Sequence, residues 1–428
     1  MEQSHFLLTK WRTRILGTLW LTYAVMYIGR VNMAIALPFI EQEFGWNTVT
    51  LGLISGSFFW VYALGQLVNG TLGDHFPARY FVFVGLVGTA LMNLGFGLSQ
   101  SFAAMVVFWG LNGVFQSMGW GPILKTASNW TAPSERTKVS AFLGTTFVLG
   151  SLISWFLSGQ ILAKFARWEL VFWLPSLILG IQAFLWLAII RDHPRDVGLT
   201  IVASGSTLQE RKPPLKLYFQ DTLVFLRQPK FLFLALITII QGMIKDGINL
   251  WTPILLVQNH NQSIGVAAIY ALLVPTFGFL GVLLASWLNQ RAKGHDELTI
   301  TILFSLGVVS ALAVRLVLSG DSLLTLTLMI GLCSLVINGI NNLLLSSIPL
   351  RYAQSGKTST LAGFLDFASY VGSGSMTILT GIILKSWGWQ TLLVGWVALF
   401  GLGGLLMLSR LVIPGFPSKT ESATSVRD

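Results

Sequence analysis

The sequence predicts an all-α membrane protein of twelve transmembrane helices arranged as two six-helix halves, and three observations carry that expectation. The first is composition. Of the 428 residues, 54% are apolar and only 10% are charged, and the mean hydropathy is +0.71. A soluble domain carries about 25% charged residues, so this chain cannot cover a water-facing surface and must be solvated by lipid. The second is run length. The apolar stretches are about 20 to 27 residues long, enough for a helix to cross a bilayer, whereas barrel strands are short and alternating. The third is the placement of the basic residues, which sorts the connecting segments into two sides.

In chain order, apolar runs broken by charged or turn residues give spans at 15–38, 48–72, 80–99, 102–126, 138–162, 168–190, 231–257, 264–289, 297–319, 323–348, 359–384 and 388–412. The longest polar stretch, 191–230, holds Arg191-Asp192-His193-Pro194-Arg195 and Arg211-Lys212-Pro213-Pro214 and divides the spans six and six. The expected organisation is an N-terminal half over 1–190, a central loop over 191–230, a C-terminal half over 231–413 and a tail over 414–428. The first apolar run is too long for a signal-peptide core and no small-residue cleavage site follows it, so it reads as a retained span.

Of the 27 Lys and Arg, 21 fall in segments on one side, three on the other (Lys164, Arg167 and Lys385), and three within spans (Arg30, Lys245 and Arg315). Cytoplasmic segments carry the excess of Lys and Arg. A multi-pass protein of the cell (inner) membrane with both termini and the central loop in the cytoplasm is expected. That placement accounts for the net charge of +10 without a nucleic-acid partner. The single cysteine, Cys333, lies inside an apolar run, which leaves no disulfide framework and no thiolate metal site. No Walker-type glycine loop, no His-Glu-x-x-His and no cluster of metal ligands occurs in the sequence, so an ATP-driven pump, an intramembrane metalloprotease, a metal site and a cofactor are not expected. A monomer in the lipid bilayer, handling a small anion and doing no covalent chemistry, is the expectation.

The halves look like a parallel repeat. An offset of 215 carries Arg30 to Lys245, Pro38 to Pro253 and Asp74 to Asn289. Two six-helix halves related by an axis along the membrane normal place a transporter's site at midplane between them. Ionisable residues inside spans are costly and face a cavity or a partner, and there are five: Arg30, Lys245, Asp246, Asp366 and Arg315. Arg315 is close enough to its span's end to snorkel. Arg30 and Lys245 lie ~20 Å from their helix ends at 1.5 Å per residue, too deep to reach water, and so are expected to face an anion across a central cavity. Tyr27 and Tyr23 precede Arg30 by three and seven residues, which sets all three on one helix face. Trp120, in Gly119-Trp120-Gly121-Pro122, sits where a helix can break and is a candidate wedge or gate. The turn after span two, Gly70-Thr-Leu-Gly-Asp74-His-Phe-Pro-Ala-Arg79, offers two readings: a charged latch between Asp74 and Arg79, or Asp74 at the N-terminus of a neighbouring helix.

With these features the chain resembles the major facilitator superfamily, and within it the organophosphate:phosphate antiporter family. The resemblance covers about residues 11 to 412 and rests on Tyr27-Ile-Gly-Arg30, Phe115-Gln-Ser-Met-Gly-Trp120-Gly-Pro122, Lys245-Asp-Gly-Ile-Asn-Leu-Trp251-Thr-Pro253, Thr360-Leu-Ala-Gly363-Phe and Trp387-Gly-Trp389. It implies a major facilitator fold and a phosphate ester held between an Arg on span one and a cation on span seven. There are departures. Where the bacterial antiporters have an Arg on span seven, this chain has Lys245. Their Lys on span two is Gln66, one turn after Tyr62; their His on span five is Thr146; and Asp366 replaces a small residue. The implied substrate contacts are Arg30, Lys245, Tyr27, Tyr23, Tyr62, Gln66, Thr146 and Trp120, with Asp246 and Asp366 as coupling or counter-ion groups and Asp74 and Arg79 as gate residues. The stretches from Arg30 and from Phe58 to Gln66 are also similar to the anion:cation symporters. That likeness implies proton- or sodium-coupled carboxylate uptake as the alternative, with a non-transporting sugar-phosphate sensor as a third reading.

Overall fold

A computed structural model of the chain describes residues 2–46, 48–199, 215–260, 270, 272–320 and 322–412, and its regular elements are all helical. Span one is divided into α1 (Glu2–Ile28) and α2 (Asn32–Phe44). Spans two and three are α3 (Thr48–His75) and α4 (Ala78–Gly97). Span four is divided into α5 (Phe102–Gln116) and α6 (Trp120–Asn129), and α7 (Arg136–Phe165) and α8 (Leu170–Ile189) complete the first half. The central segment, read from the sequence as a polar loop, contains a helix, α9 (Leu215–Leu226). Then come α10 (Pro229–His260), α11 (Leu273–Arg291), α12 (Asp296–Val317) and α13 (Leu323–Asn342). α13 passes through a π-helical turn, Leu343–Ser347, into the short α14 (Ile348–Arg351). Spans eleven and twelve are the two parts of α15 (Thr358–Val412), which is broken at Gly388, where φ is 73° and only glycine is at ease. Ten of the described stretches are long and apolar enough to cross a membrane, and α3 and the part of α15 before Gly388 complete the twelve.

The break in span one is what positions the site. Unpaired backbone is tolerated at membrane depth only where protein groups satisfy it. The carbonyl of Gly29 accepts from the side-chain amides of Asn93 on α4 (3.2 Å) and Asn112 on α5 (3.0 Å). Asn32, at the start of α2, donates to Asn93 (3.2 Å) and to the Val171 carbonyl (3.0 Å). Three buried amides in otherwise apolar helices thus replace the missing helical bonds and fix the direction in which Arg30 leaves the chain.

Buried apolar side chains form one cluster within the second half, from Phe231 to Met407, while two further clusters are built mainly from the first half. Outward-facing side chains such as Leu316, 84% exposed, and Leu405, 68% exposed, form the lipid surface expected of a multi-pass membrane protein.

The halves meet at the face lined by the Lys- and Arg-rich segments, the basic face. There α3 crosses α15 so closely that a Cβ on Gly70 would come within 2.9 Å of Gly363 Cα. Asp74, at the end of α3, accepts from the backbone N–H groups of Ser359 (3.0 Å) and Thr360 (2.6 Å), capping the N-terminus of α15 in the opposite half. Lys125 ties down the end of α3, its ammonium on the carbonyls of Gly73 (2.8 Å), Asp74 (3.1 Å) and Phe76 (2.9 Å). Of the two readings of the 70–79 turn, the structure takes the second. Arg79 turns away from Asp74 and bonds the Leu187 carbonyl through Nε (3.0 Å) and Nη2 (2.7 Å).

Candidate functional site

Arg30 emerges from the break between α1 and α2 and is 7% exposed. Its Nη2 donates to the hydroxyl of Tyr62 on α3 (3.1 Å) and to Oε1 of Gln116 at the end of α5 (3.2 Å). Its Nη1 reaches the hydroxyl of Tyr370 on α15 at 3.4 Å. Tyr27 and Tyr62 present their ring faces to the guanidinium at 4.6 and 4.5 Å, and Tyr23 lies farther out at 5.8 Å. A cation out of water is stabilised by π-faces and hydroxyl oxygens without being neutralised. The Nε of Arg30 is buried and has no hydrogen-bond partner. The guanidinium is therefore held in place and incompletely satisfied.

Lys245, on α10, approaches the same Tyr370, its ammonium 5.6 Å from the ring centroid. It pairs with its neighbour Asp246 at 3.7 Å; the two side chains are 14% and 23% exposed. Asp366, on α15, is 5% exposed and accepts from the Tyr62 hydroxyl at 3.1 Å. Gln66, one turn beyond Tyr62 and fully buried, donates to the same hydroxyl. Arg30, Tyr62, Gln66, Asp366, Lys245 and Asp246 thus converge between the two halves, with Tyr23 and Tyr27 beside them.

Two of the residues named from the sequence bond outside this cluster. Trp120 packs against Tyr23, ring centroids 4.5 Å apart, but turns its indole N–H to the Leu345 carbonyl (3.0 Å) across the seam. Pro349 has no N–H to offer the carbonyl four residues back, so the indole serves an acceptor left by the π-helical turn, and Trp120 joins the closed face rather than the charged cluster. The hydroxyl of Thr146 donates to Leu143 of its own helix at 2.5 Å and joins none of the described bonds of the cluster. Arg315 is exposed in the last turn of α12, as snorkelling requires. Two residues were missed. Gln116 lies inside the Phe115–Pro122 motif, and Tyr370 lies one helical turn after Asp366, on the same face; both signals were in the sequence, but neither residue carries a charge.

A two-half helical bundle closed at one face over a buried cluster of opposed charges is the architecture of a membrane transporter. The chain belongs to the major facilitator superfamily: the family model described as Major Facilitator Superfamily matches residues 19–376. It is similar to a probable hexose phosphate transport protein of Chlamydia muridarum, 25% identical over 91% of this chain and 88% of that one. It is similar also to a glycerol-3-phosphate transporter of Bacillus subtilis, 26% identical over 89% of this chain and 87% of the other. The crystal structure of the human organic anion transporter MFSD10 superimposes with a TM-score of 0.74 at 16% identity, over 92% of this chain and 99% of that one, a likeness of fold.

Proposed function

We propose that the protein exchanges a sugar phosphate or glycerol phosphate for inorganic phosphate across the cell membrane, as a monomer with both termini and the 191–230 segment in the cytoplasm. The observation that carries this reading is Arg30: buried, with an unpartnered Nε, and sharing Tyr370 with Lys245 between the halves. A guanidinium offers a planar fork of donors to a phosphoryl group, and an ammonium adds a point charge. The relatives named for hexose phosphate and glycerol 3-phosphate transport support the same substrate class. Asp74 and Arg79 belong to the gate on this reading: the substrate's charge satisfies Arg30 and Lys245, the halves rock, and the Asp74 cap on α15 releases.

One observation favours a carboxylate instead. Asp246 and Asp366 balance Arg30 and Lys245, which leaves a neutral pocket better suited to a singly charged anion. Titration calorimetry on the purified protein separates the two. Glycerol 3-phosphate and glucose 6-phosphate are expected to bind, and glycerol, glucose and glucuronate are not. Glucuronate binding more tightly than either phosphate ester would replace the phosphate reading with the carboxylate one.

A further inference from the structure

The neutral pocket sets a problem for the phosphate reading, and the hydrogen bonds around Tyr62 suggest its solution. A phenolic oxygen has one hydrogen to give and two lone pairs to fill. Both lone pairs of Tyr62 are engaged, by Arg30 Nη2 at 3.1 Å and by Gln66 Nε2, and its hydrogen goes to Asp366 Oδ2 at 3.1 Å. This bond joins α3 of one half to α15 of the other, and it requires Asp366 Oδ2 to be an acceptor. With a proton on that oxygen, Asp366 would be a poorer acceptor and would need a lone pair other than the two of Tyr62, so the link between the halves would weaken.

The groups facing Asp366 are Arg30 at the α1–α2 break, Tyr62 on α3, Lys245 and Asp246 on α10, Tyr23 and Tyr27 on α1, and Tyr370 on its own helix. Asp246 has Lys245 at 3.7 Å and is the more exposed; Asp366 is 5% exposed and its described polar partner is a neutral hydroxyl. A carboxylate held out of water beside a newly arrived dianion takes a proton rather than bear the repulsion.

We propose that Asp366 is a proton-binding site: it takes one proton from solvent when a doubly charged phosphate ester fills the Arg30–Lys245 pocket, and stays ionised when the anion carries a single charge. The loaded pocket then has the same net charge in both cases. The proton bonds a carboxylate oxygen and no bond of the substrate is broken. The inference rests on the phosphate reading.

The test is proton uptake on binding. In weak buffer at about pH 7.8, where a phosphate ester with a second pKa near 6 is a dianion, glycerol 3-phosphate is added to the purified protein with a pH-indicator dye. Expected are about one proton taken up per anion bound by the parent and none per anion bound by Asp366→Asn, uptake being read against the amount of anion bound at whatever affinity the variant has. An alkyl sulfate monoester, which cannot become a dianion, makes the same comparison in the unsubstituted chain and is expected to bind with no proton uptake. Binding of glycerol 3-phosphate by the parent without proton uptake, or equal uptake with the sulfate ester or in Asp366→Asn, overturns the inference while the phosphate reading stands. No binding of glycerol 3-phosphate by the parent removes the phosphate reading and this inference with it.

Discussion

Arg30 owes its place to a loss of helix. Were span one continuous, the residue would be one more side chain on a crowded helix face. The break at residues 29–31 lets the guanidinium reach Gln116, Tyr62 and Tyr370 on three different helices. Charge-assisted hydrogen bonds contribute about 1.5–3 kcal/mol each. Arg30→Ala is therefore expected to weaken anion binding by about 10- to 100-fold or more, and Arg30→Lys to fail comparably, since a point charge cannot replace a fork of donors. Tyr370→Phe, which removes a long 3.4 Å contact and keeps the ring near Lys245, is expected to cost only a few-fold. Titration calorimetry on the three variants checks the order. The depth of Arg30 and Lys245 in apolar runs was legible in the sequence because an isolated charge in lipid needs a reason. Gln116 was not, since a neutral amide inside a span is common and its partner is 86 positions away.

Helix by helix, the bilayer makes sequence unusually readable, because it demands long apolar runs between charged turns. The run at 297–319, for example, became Asp296–Val317. Interruptions within a span were harder to see. The break at residues 29–31 depends on Asn93 and Asn112, far away in sequence, whereas the one before Trp120 was foreshadowed by Gly119-Trp120-Gly121-Pro122. α9 was also invisible in a stretch that reads as polar linker. Its Tyr218 ring lies 3.6 Å from the Lys357 ammonium and 5.2 Å from the His75 ring, and Thr222 accepts from Lys357 at 2.7 Å. Burial there lowers the pKa of Lys357, while nearby Asp74 acts to raise it. The 70–79 turn is the clearest case of an element whose meaning is long-range: Asp74 serves a helix 285 residues away. Asp74→Asn keeps the size and loses the charge that favours a helix N-terminus, a change of about 0.3–1 kcal/mol. Transport by this variant is expected to slow severalfold with anion affinity at the central site nearly unchanged. Lost binding with an unaltered transport rate would place Asp74 in the pocket instead of at the gate.

At the scale of the whole molecule, the structure is closed at the basic face through Asp74 on α15, Trp120 on Leu345 and Gly70 against Gly363. On the charge asymmetry of the sequence, that face is proposed to be the cytoplasmic one. Single cysteines at Arg195 and Arg167, both exposed, are expected to react with an impermeant maleimide from opposite sides of sealed vesicles; native Cys333 is buried and contributes little background. Labelling of both from one side would contradict the topology. The central claim is that one pocket, built on Arg30 and Lys245, binds phosphate and phosphate esters alternately, so that one moves only in exchange for the other. The direct measurement is uptake of labelled glycerol 3-phosphate or glucose 6-phosphate by liposomes containing the protein, loaded or not with inorganic phosphate. The account predicts accumulation in phosphate-loaded vesicles, little in empty ones, and none with Arg30→Ala. Equal uptake by loaded and empty vesicles, or exchange that survives Arg30→Ala, would contradict it.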